Sequence, residues 1–352
     1  MSSEVLVITG GGGVGKTTLS AALAVGAARR GLTTCVITVD PAKRLADALG
    51  VQTLGNHPSE VKSTPGLWAA MLDVSASWEA MVHRHAAPEV ADRLLEDPFF
   101  RALADRFPAA QAYAAGEQMA EHIESKRWDL LVVDTPPAGG GIDFYTAPRR
   151  MRELIGGRLL RWLTGASLPG RRAIYKVTAR PALKLADAVL GGPLLEEIAE
   201  FLLDLRSLYD GLSHRAKAIE LHLRRATSIV VTTAYPTPMR EARRFFEDLP
   251  PEVGPASTIV FNKQLPETWS AGMTLRNADV SPQDRIALRD NLAGWAEEVK
   301  RQHDVKQDFA ARHSLELLNV PWAETAPTSV DALAELLKSA PGLGDHLPPP
   351  RR

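Results

Sequence analysis

The chain has 352 residues and a formal net charge of −1, with 45% hydrophobic and 24% charged residues. These values are ordinary for a globular protein with one large domain or two smaller ones. The near-zero charge gives no electrostatic basis for binding nucleic acid, and the single cysteine, Cys35, excludes an intrachain disulfide. No apolar run approaches a membrane span and residues 1–4 do not resemble a signal peptide, so we expect a cytoplasmic protein.

The N-terminal segment predicts a strand, a glycine-rich loop and a helix. The apolar run 5–8 leads into residues 10–17, which fit the pattern G-x-x-x-x-G-K-[ST], and an Ala- and Leu-rich helix follows over 19–30. Such a loop wraps backbone N–H groups around a polyphosphate, with Lys16 neutralising the β- and γ-phosphates and the Thr17 hydroxyl binding Mg²⁺. The residues expected to bind nucleotide here are Gly12, Gly13, Val14, Gly15, Lys16, Thr17 and Thr18.

Strand-like and helix-like stretches then alternate along the chain. The strand-like runs are 5–9, 34–39, 67–72, 129–133, 228–233, 258–261 and 315–320. This alternation predicts an α/β fold of the P-loop NTPase type, with a mostly parallel sheet of about seven or eight strands flanked by helices, and a helical subdomain. We expect one domain over 1–340, helical insertions at roughly 76–126 and 145–225, and a disordered Pro-rich tail at 341–352.

Two aspartates follow predicted strands at the edge where ligands bind in parallel sheets. Asp40 could orient a water for in-line attack on a γ-phosphate or hold a magnesium-bound water, although a helix-capping aspartate before Pro41 is a common alternative. Asp134 ends an apolar strand and is expected in the Mg²⁺ shell with Thr17 and Asp40. The Pro- and Gly-rich segment 135–141 after it is a plausible γ-phosphate sensor.

Residues near the C-terminus favour adenine over guanine. Asn262 and Lys263 begin an N-K-x-D pattern, but Leu265 occupies the position of the carboxylate that reads guanine, so ATP is expected. Asn262 could hydrogen-bond adenine, and Pro321 with Trp322 could close over the base.

The segment 149–163 is basic and partly amphipathic. It could meet an anionic membrane surface peripherally or a partner's groove, whereas the commoner role of such a helix is to pack on one side and face solvent on the other.

Together these residues resemble the ArsA-type ATPases, which include the catalytic subunit of the arsenical pump and the targeting ATPase for tail-anchored membrane proteins. The similarity rests on the loop Gly10–Thr17, a switch I sequence D-P-A-K at 40–43 and a switch II sequence D-T-P-P-A-G at 134–139. It covers most of the chain and is strongest to an actinobacterial branch of paired ArsA-like ATPases. The family's adenine-contacting positions map onto Asn262 and Pro321.

This resemblance implies an ATP-hydrolysing dimeric switch that couples hydrolysis to an unidentified protein client or partner. Asp40 would orient the attacking water, and Lys16 would stabilise charge on the transferring phosphoryl group. The family's signature lysine, which reaches the opposite subunit, is Gly11 here, so the dimer is either a homodimer or a heterodimer with a lysine-bearing paralogue. Lys43 or Arg44, directly after the D-P-A sequence, is the alternative source of the missing cation. Cys35 alone provides no thiolate site for arsenite or zinc.

Two other functions stay open from the sequence. The first is a positioning ATPase resembling the chromosome- or septum-partitioning branch, and the second is a weakly catalytic subunit of a heterodimeric ATPase. The large helical insertions favour the client-coupled switch over the positioning ATPase.

Overall fold

The structure is a computed structural model of the chain. It describes residues 3–40, 43–106, 108–136, 141–156, 194–249, 258–271, 281–313 and 315–350.

An 8-stranded sheet in the order β3-β4-β2-β5-β1-β6-β7-β8 organises the fold. Every neighbouring pair is parallel except β3 with β4, which is antiparallel. The strands are β1 (Glu4–Gly10), β2 (Thr34–Thr38), β3 (Ser59–Glu60), β4 (Leu67–Met71), β5 (Leu130–Asp134), β6 (Thr227–Thr232), β7 (Thr258–Gln264) and β8 (Glu316–Pro321). The predicted fold class is confirmed. Only the two-residue edge strand β3 lies outside the predicted runs, because it is too short and polar to show a strand pattern.

Helices connect most of the parallel strands, as crossovers between parallel neighbours require. The α-helices among the described residues are α1 (Lys16–Arg29), α2 (Arg44–Leu49), α3 (Val74–His85), α4 (Pro88–Glu96), α5 (Pro98–Arg106), α6 (Pro108–Glu124), α7 (Ile142–Gly156), α8 (Leu194–Ser207), α9 (Tyr209–Arg225), α10 (Pro236–Asp248), α11 (Pro282–Arg312) and α12 (Val330–Lys338).

The chain divides into two compact units. The sheet unit comprises residues 1–71, 126–142 and 226–352, and the helical unit comprises 72–125 and 143–225. The helical unit therefore begins and ends within a few residues of the two predicted insertions, although its residues 157–193 lie outside the described part of the chain.

The core of the sheet unit forms where α1 packs on the sheet. The central strands are buried along almost their whole length, as expected for parallel strands covered on both faces. The alanines of α1 permit close packing, and at Gly26 the approach to α12 is closest: a Cβ built there would lie 2.2 Å from Leu337 Cδ2. A larger residue at this position would push the two helices apart.

The C-terminal segment requires a correction. The sequence predicts disorder over 341–352, yet residues 343–346 form a 3₁₀ helix, and Leu343 and Leu347 are buried in the core of the sheet unit. His346 Nε2 also lies 3.1 Å from a carboxylate oxygen of Glu316 in β8. The composition predicts disorder because proline and glycine dominate the segment, but burial of apolar side chains such as Leu343 and Leu347 stabilises it against the sheet unit.

The helical unit is held by a buried aromatic and ionic centre. Trp78 of α3 contacts Phe100 edge-on and stacks on Tyr113 of α6. Beside them Glu117 of α6, with only 3% of its side chain exposed, pairs with Arg84 of α3 and Arg215 of α9. A buried carboxylate with two guanidinium partners is hydrogen-bonded on its oxygens, which is what makes its burial tolerable.

The described part of the basic segment 149–163 is electrically balanced. Arg149, Arg150 and Arg152 of α7 each pair with a carboxylate, those of Glu153, Asp143 and Glu220. These pairs reduce the positive charge that 149–156 would present to an anionic surface, and residues 157–163 lie outside the described part of the chain. No helix among the described residues is long and apolar enough to cross a bilayer.

Candidate functional site

The loop between β1 and α1 is built on glycine. Gly10, Gly13 and Gly15 have φ of 143°, 74° and 98°, which side-chain-bearing residues rarely adopt. At Gly10 space is also lacking, because a Cβ would lie 2.1 Å from the carbonyl oxygen of Val231 in β6. Gly15 is the N-cap of α1, and the first N–H groups of that helix, which have no intrahelical carbonyl partner, follow directly after the loop.

The side chain of Lys16 folds back against the phosphate loop and is shielded from solvent. Its side chain is buried, and Nζ donates a hydrogen bond to the Gly11 carbonyl oxygen at 2.8 Å. Burial lowers the pKa of Lys16, while the carboxylates of Asp134 and Asp40 oppose that shift. The ammonium group thus has one carbonyl hydrogen bond and three nearby negative charges, those of Asp134, Asp40 and Glu241, and an incoming phosphate would add a direct anionic partner.

Asp134 is the most enclosed acid of the site. It ends β5 between β1 and β2, and its Oδ2 accepts hydrogen bonds from the hydroxyls of Thr17 at 2.7 Å and Thr38 at 2.8 Å. The Ser20 hydroxyl lies 3.4 Å from Oδ1. Burial raises the pKa of Asp134, and the hydrogen bonds from Thr17 and Thr38 together with the charge of Lys16 counteract it.

These groups suit a magnesium ion. A carboxylate and a threonine hydroxyl are hard oxygen donors, which Mg²⁺ prefers and commonly uses together with waters and phosphate oxygens. Thr17 and Asp134 are therefore brought together as predicted. Thr38 and Ser20 were not predicted. Thr38 could have been found as a hydroxyl at the end of the strand beside Asp134, whereas nothing in the local sequence marks Ser20, which lies in α1.

Asp40 lies just beyond β2 on the same edge of the sheet. Its backbone N–H is 3.3 Å from Thr38 Oγ1, and its Oδ2 pairs with Arg44 Nη1 at 3.2 Å. The next two residues, Pro41 and Ala42, lie outside the described part of the chain. Asp40 does not lead directly into a helix, because α2 begins only at Arg44.

The predicted switch II segment is only partly described. Thr135 is buried, and its hydroxyl donates to the Ile8 carbonyl oxygen at 3.0 Å. Residues 137–140, including the glycines expected to sense the γ-phosphate, lie outside the described residues. Gly141 is packed so closely on Thr9 that a Cβ would lie 1.5 Å from the Thr9 hydroxyl oxygen.

Two residues at the end of β7 donate hydrogen bonds to carbonyl groups of the phosphate loop. Asn262 Nδ2 donates to the Val14 carbonyl oxygen at 2.7 Å, and Lys263 Nζ donates to the Gly13 carbonyl oxygen at 3.0 Å. The Asn262 amide, expected on adenine, is thus engaged with the phosphate loop. Lys263, which sequence reasoning did not assign to the site, joins it with a left-handed φ of 58°.

A cavity of about 590 Å³ connects these groups. It is lined by Gly13, Gly15, Lys16, Thr17, Thr18, Asp40, Arg44, Asp47, Ala48, Thr135, Asn262, Lys263, Pro321, Trp322, Ala323, Ala326, Pro327, Thr328 and Leu336. The polar phosphate-loop end therefore continues into an apolar end at Pro321 and Trp322. Gly12, Val14 and Asp134, although predicted, are not in this lining: Gly12 is exposed, whereas Val14 and Asp134 are buried.

The space that a side chain at residue 11 would enter is occupied by a carboxylate. A Cβ built on Gly11 would lie 1.9 Å from Oε2 of Glu241, which comes from α10. A side chain at residue 11 would have to displace that carboxylate. Glu241 also contributes a favourable charge to Lys16.

A phosphate loop between the first strand and first helix of a parallel sheet, with an acid ending a neighbouring strand, defines a nucleotide-binding protein of the P-loop class. The chain belongs to the anion-transporting ATPase family, whose profile matches residues 3–287. The resemblance to the ArsA-type ATPases is thereby confirmed.

Individual relatives agree with this membership. An uncharacterized protein of Streptomyces coelicolor is 34% identical over 203 residues, which cover 52% of this chain and 50% of that protein. The ATPase GET3 of Rhodotorula glutinis is 27% identical over 261 residues, 74% of this chain and 70% of its own. A Halobacterium salinarum protein named as an arsenical pump-driving ATPase is 26% identical over 350 residues, 96% of this chain but 44% of its own. The chain thus spans about half the length of the first and third of these relatives.

Proposed function

We propose that this chain binds Mg-ATP in the cavity beside the phosphate loop and hydrolyses it to ADP and phosphate. One observation supports this proposal above the others: the hydroxyl of Thr17, next to Lys16, contacts the buried Asp134. Both residues adjoin a loop whose glycine torsions suit phosphate binding. The cavity of about 590 Å³ is within the range that holds small-molecule ligands.

Each polar residue has a role that follows from its place. Lys16 leaves the Gly11 carbonyl and neutralises the β- and γ-phosphates. Asp40 accepts a hydrogen bond from a water and directs it at the γ-phosphorus. A bond from the water oxygen to phosphorus forms as the bond to the β–γ bridging oxygen breaks, ADP leaves with that oxygen, and the proton of the water passes to the phosphate product. Thr17 and Asp134 would hold Mg²⁺ directly or through water, and the ion would supply charge neutralisation at the phosphate oxygens.

The base is accommodated at the apolar end of the cavity. Trp322, with 47% of its surface exposed, and Pro321 offer flat apolar faces for a purine, while Leu265 offers no carboxylate for the guanine edge. Asn262 positions the phosphate loop through its Nδ2 contact with Val14, and its amide oxygen accepts a hydrogen bond from the Lys263 backbone N–H at 2.8 Å. ATP is therefore the nucleotide expected.

The chain is proposed to work as a dimeric, cytoplasmic switch that couples hydrolysis to a protein client. Gly11 supplies no cation, and the Glu241 carboxylate at that position is complementary to a lysine delivered from a paralogous subunit. A heterodimer with a lysine-bearing paralogue is favoured over a homodimer for that reason, and this chain alone would then be a weak ATPase. The positioning-ATPase alternative gains no support from the paired charges of α7.

Calorimetric titration with Mg-ATP and with Mg-GTP tests the proposal. We expect ATP to bind more tightly than GTP and Lys16→Ala to weaken ATP binding, whereas the exposed Lys62→Ala changes nothing. Equal or tighter binding of GTP would overturn the choice of base. Failure of the unmodified chain to bind either nucleotide would overturn the site itself.

A further inference from the structure

In the described part of the switch I region, the guanidinium of Arg44 forms an ion pair with Asp40, the acid that is expected to orient the water. Arg44 is the first residue of α2 and contacts Asp40 Oδ2 through Nη1 at 3.2 Å. Both side chains line the same cavity as Lys16 and Thr17. Lys43, the neighbouring cation, is exposed and is absent from that lining.

The two ends of this ion pair differ in freedom. Asp40 has 15% of its side chain exposed and its backbone N–H approaches Thr38, whereas Arg44 has 62% of its side chain exposed. Ion pairs this open to solvent contribute little to stability, so Arg44 can exchange partners at small cost.

A terminal phosphate is a better partner for this guanidinium than a single carboxylate. The γ-phosphate of ATP presents several anionic oxygens to the planar fork of an arginine, which binds such groups in bidentate fashion. ADP lacks the terminal group. We propose that Arg44 recognises the γ-phosphate of the bound nucleotide and that, in doing so, it exchanges its ion pair with Asp40 for that contact.

The exchange has two consequences, and both rest on the proposed function of the site. Triphosphate binding moves Arg44 from Asp40 Oδ2 to the γ-phosphate, so the positive charge beside the water-orienting acid depends on whether a γ-phosphate is bound. Loss of the γ-phosphate after hydrolysis restores the pair. Arg44 is thus a specificity-determining residue for triphosphate over diphosphate, beside the loop contacts that both nucleotides share.

The test is a pair of calorimetric titrations, with Mg-ADP and with the non-hydrolysable analogue Mg-AMP-PNP, on the full chain. We expect Arg44→Gln to weaken AMP-PNP binding about tenfold or more while changing ADP binding less than about threefold. Arg44→Lys retains the charge without the fork and should fall between the two. Lys43→Gln, which removes the adjacent cation outside the cavity, should alter neither affinity.

Two results would overturn the inference. One is an unchanged ratio of AMP-PNP to ADP affinity in Arg44→Gln; the other is an equal loss for both nucleotides, which would assign Arg44 to the shared phosphates or to the fold. Thermal unfolding without nucleotide checks the second, since the exposed Arg44 should leave it nearly unchanged. If the unmodified chain binds ADP and AMP-PNP and only the ratio test fails, the proposed function stands and this inference alone is rejected.

Discussion

At the scale of single residues, the site depends on a buried negative charge with hydroxyl partners. Asp134 would be costly to ionise in an apolar interior, and Thr17 and Thr38 offset that cost by donating to the same oxygen. Asp40 is different, because its charge is balanced by Arg44 at the cavity surface. The two carboxylates therefore suit different tasks, Asp134 for a cation and Asp40 for a water.

Replacing Asp40 with asparagine separates these tasks. We expect Asp40→Asn to leave Mg-ATP affinity undiminished, because the residue makes no proposed phosphate contact, and to slow hydrolysis by about 10²- to 10⁴-fold, because a water-orienting base is lost. Single-turnover hydrolysis, with the partner subunit present if turnover requires it, measures the rate. Asp47→Asn, another cavity-lining carboxylate, is the matched control. Hydrolysis at the unmodified rate would show that the switch I assignment is wrong.

At the scale of elements, ion pairs centred on one buried carboxylate connect helices of the helical unit. Glu117 of α6 ties α3 to α9 through Arg84 and Arg215. His85, at the end of α3, packs against Gly211 of α9, where a Cβ would lie 2.4 Å from its Nδ1. Burial lowers the pKa of His85 from its ordinary value of 6.5, and the neighbouring charges of Arg84, Arg215 and His214 lower it further.

This histidine should make the unit sensitive to acid. Because its pKa is lower in the folded than in the unfolded chain, the unfolded chain takes up more protons below about pH 6.5, and stability falls as the pH drops through that range. We expect His85→Gln to reduce the loss of unfolding free energy between about pH 7 and pH 5, measured by urea denaturation followed by circular dichroism. His222, whose pKa burial also lowers, leaves a residual dependence.

The exposed His83 provides the comparison for this measurement. His83→Gln changes the same residue type on the same helix and should preserve the pH dependence of the unmodified chain. An identical pH dependence in His85→Gln and the unmodified chain would contradict the argument.

At the scale of the whole molecule, the question is what completes the site at Gly11. A cation supplied in trans accelerates phosphoryl transfer by about 10³- to 10⁵-fold in well-studied GTPases, and glycine supplies none. Glu241 occupies the space beside Gly11 and would pair with a lysine arriving from another subunit. An ATPase that is slow alone and activated by its partner fits this arrangement.

We therefore expect the isolated chain to hydrolyse ATP slowly and a paralogue with lysine at the position of Gly11 to stimulate it. Steady-state phosphate release with increasing partner measures the effect. Stimulation should disappear when that lysine of the paralogue is changed to alanine, and it should weaken in Glu241→Gln. Brisk turnover by the isolated chain would reject the partner. If Lys43→Ala abolishes that turnover, or Arg44→Ala abolishes it at saturating ATP, the cation comes from switch I.

Much of this protein could be predicted from local sequence. The glycine torsions of the phosphate loop, the apolar strand runs and Asp134 at the end of β5 each depend on neighbouring residues, so the fold class and the family followed from them. Long stretches without strand patterns likewise predicted the helical insertions at roughly 76–126 and 145–225, of which residues 157–193 lie outside the described part of the chain.

Only the tertiary structure shows the contacts between residues far apart in the chain, because these contacts depend on strand order and helix packing. Thr38 reaches Asp134 because β2 and β5 are neighbours, and Asn262 reaches Val14 because β7 ends beside the loop. Likewise, Leu343 is buried because it packs into the hydrophobic core of the sheet unit. Local pattern cannot specify such partners: their free energy comes from burial and hydrogen bonding across elements, which exist only once the sheet has formed.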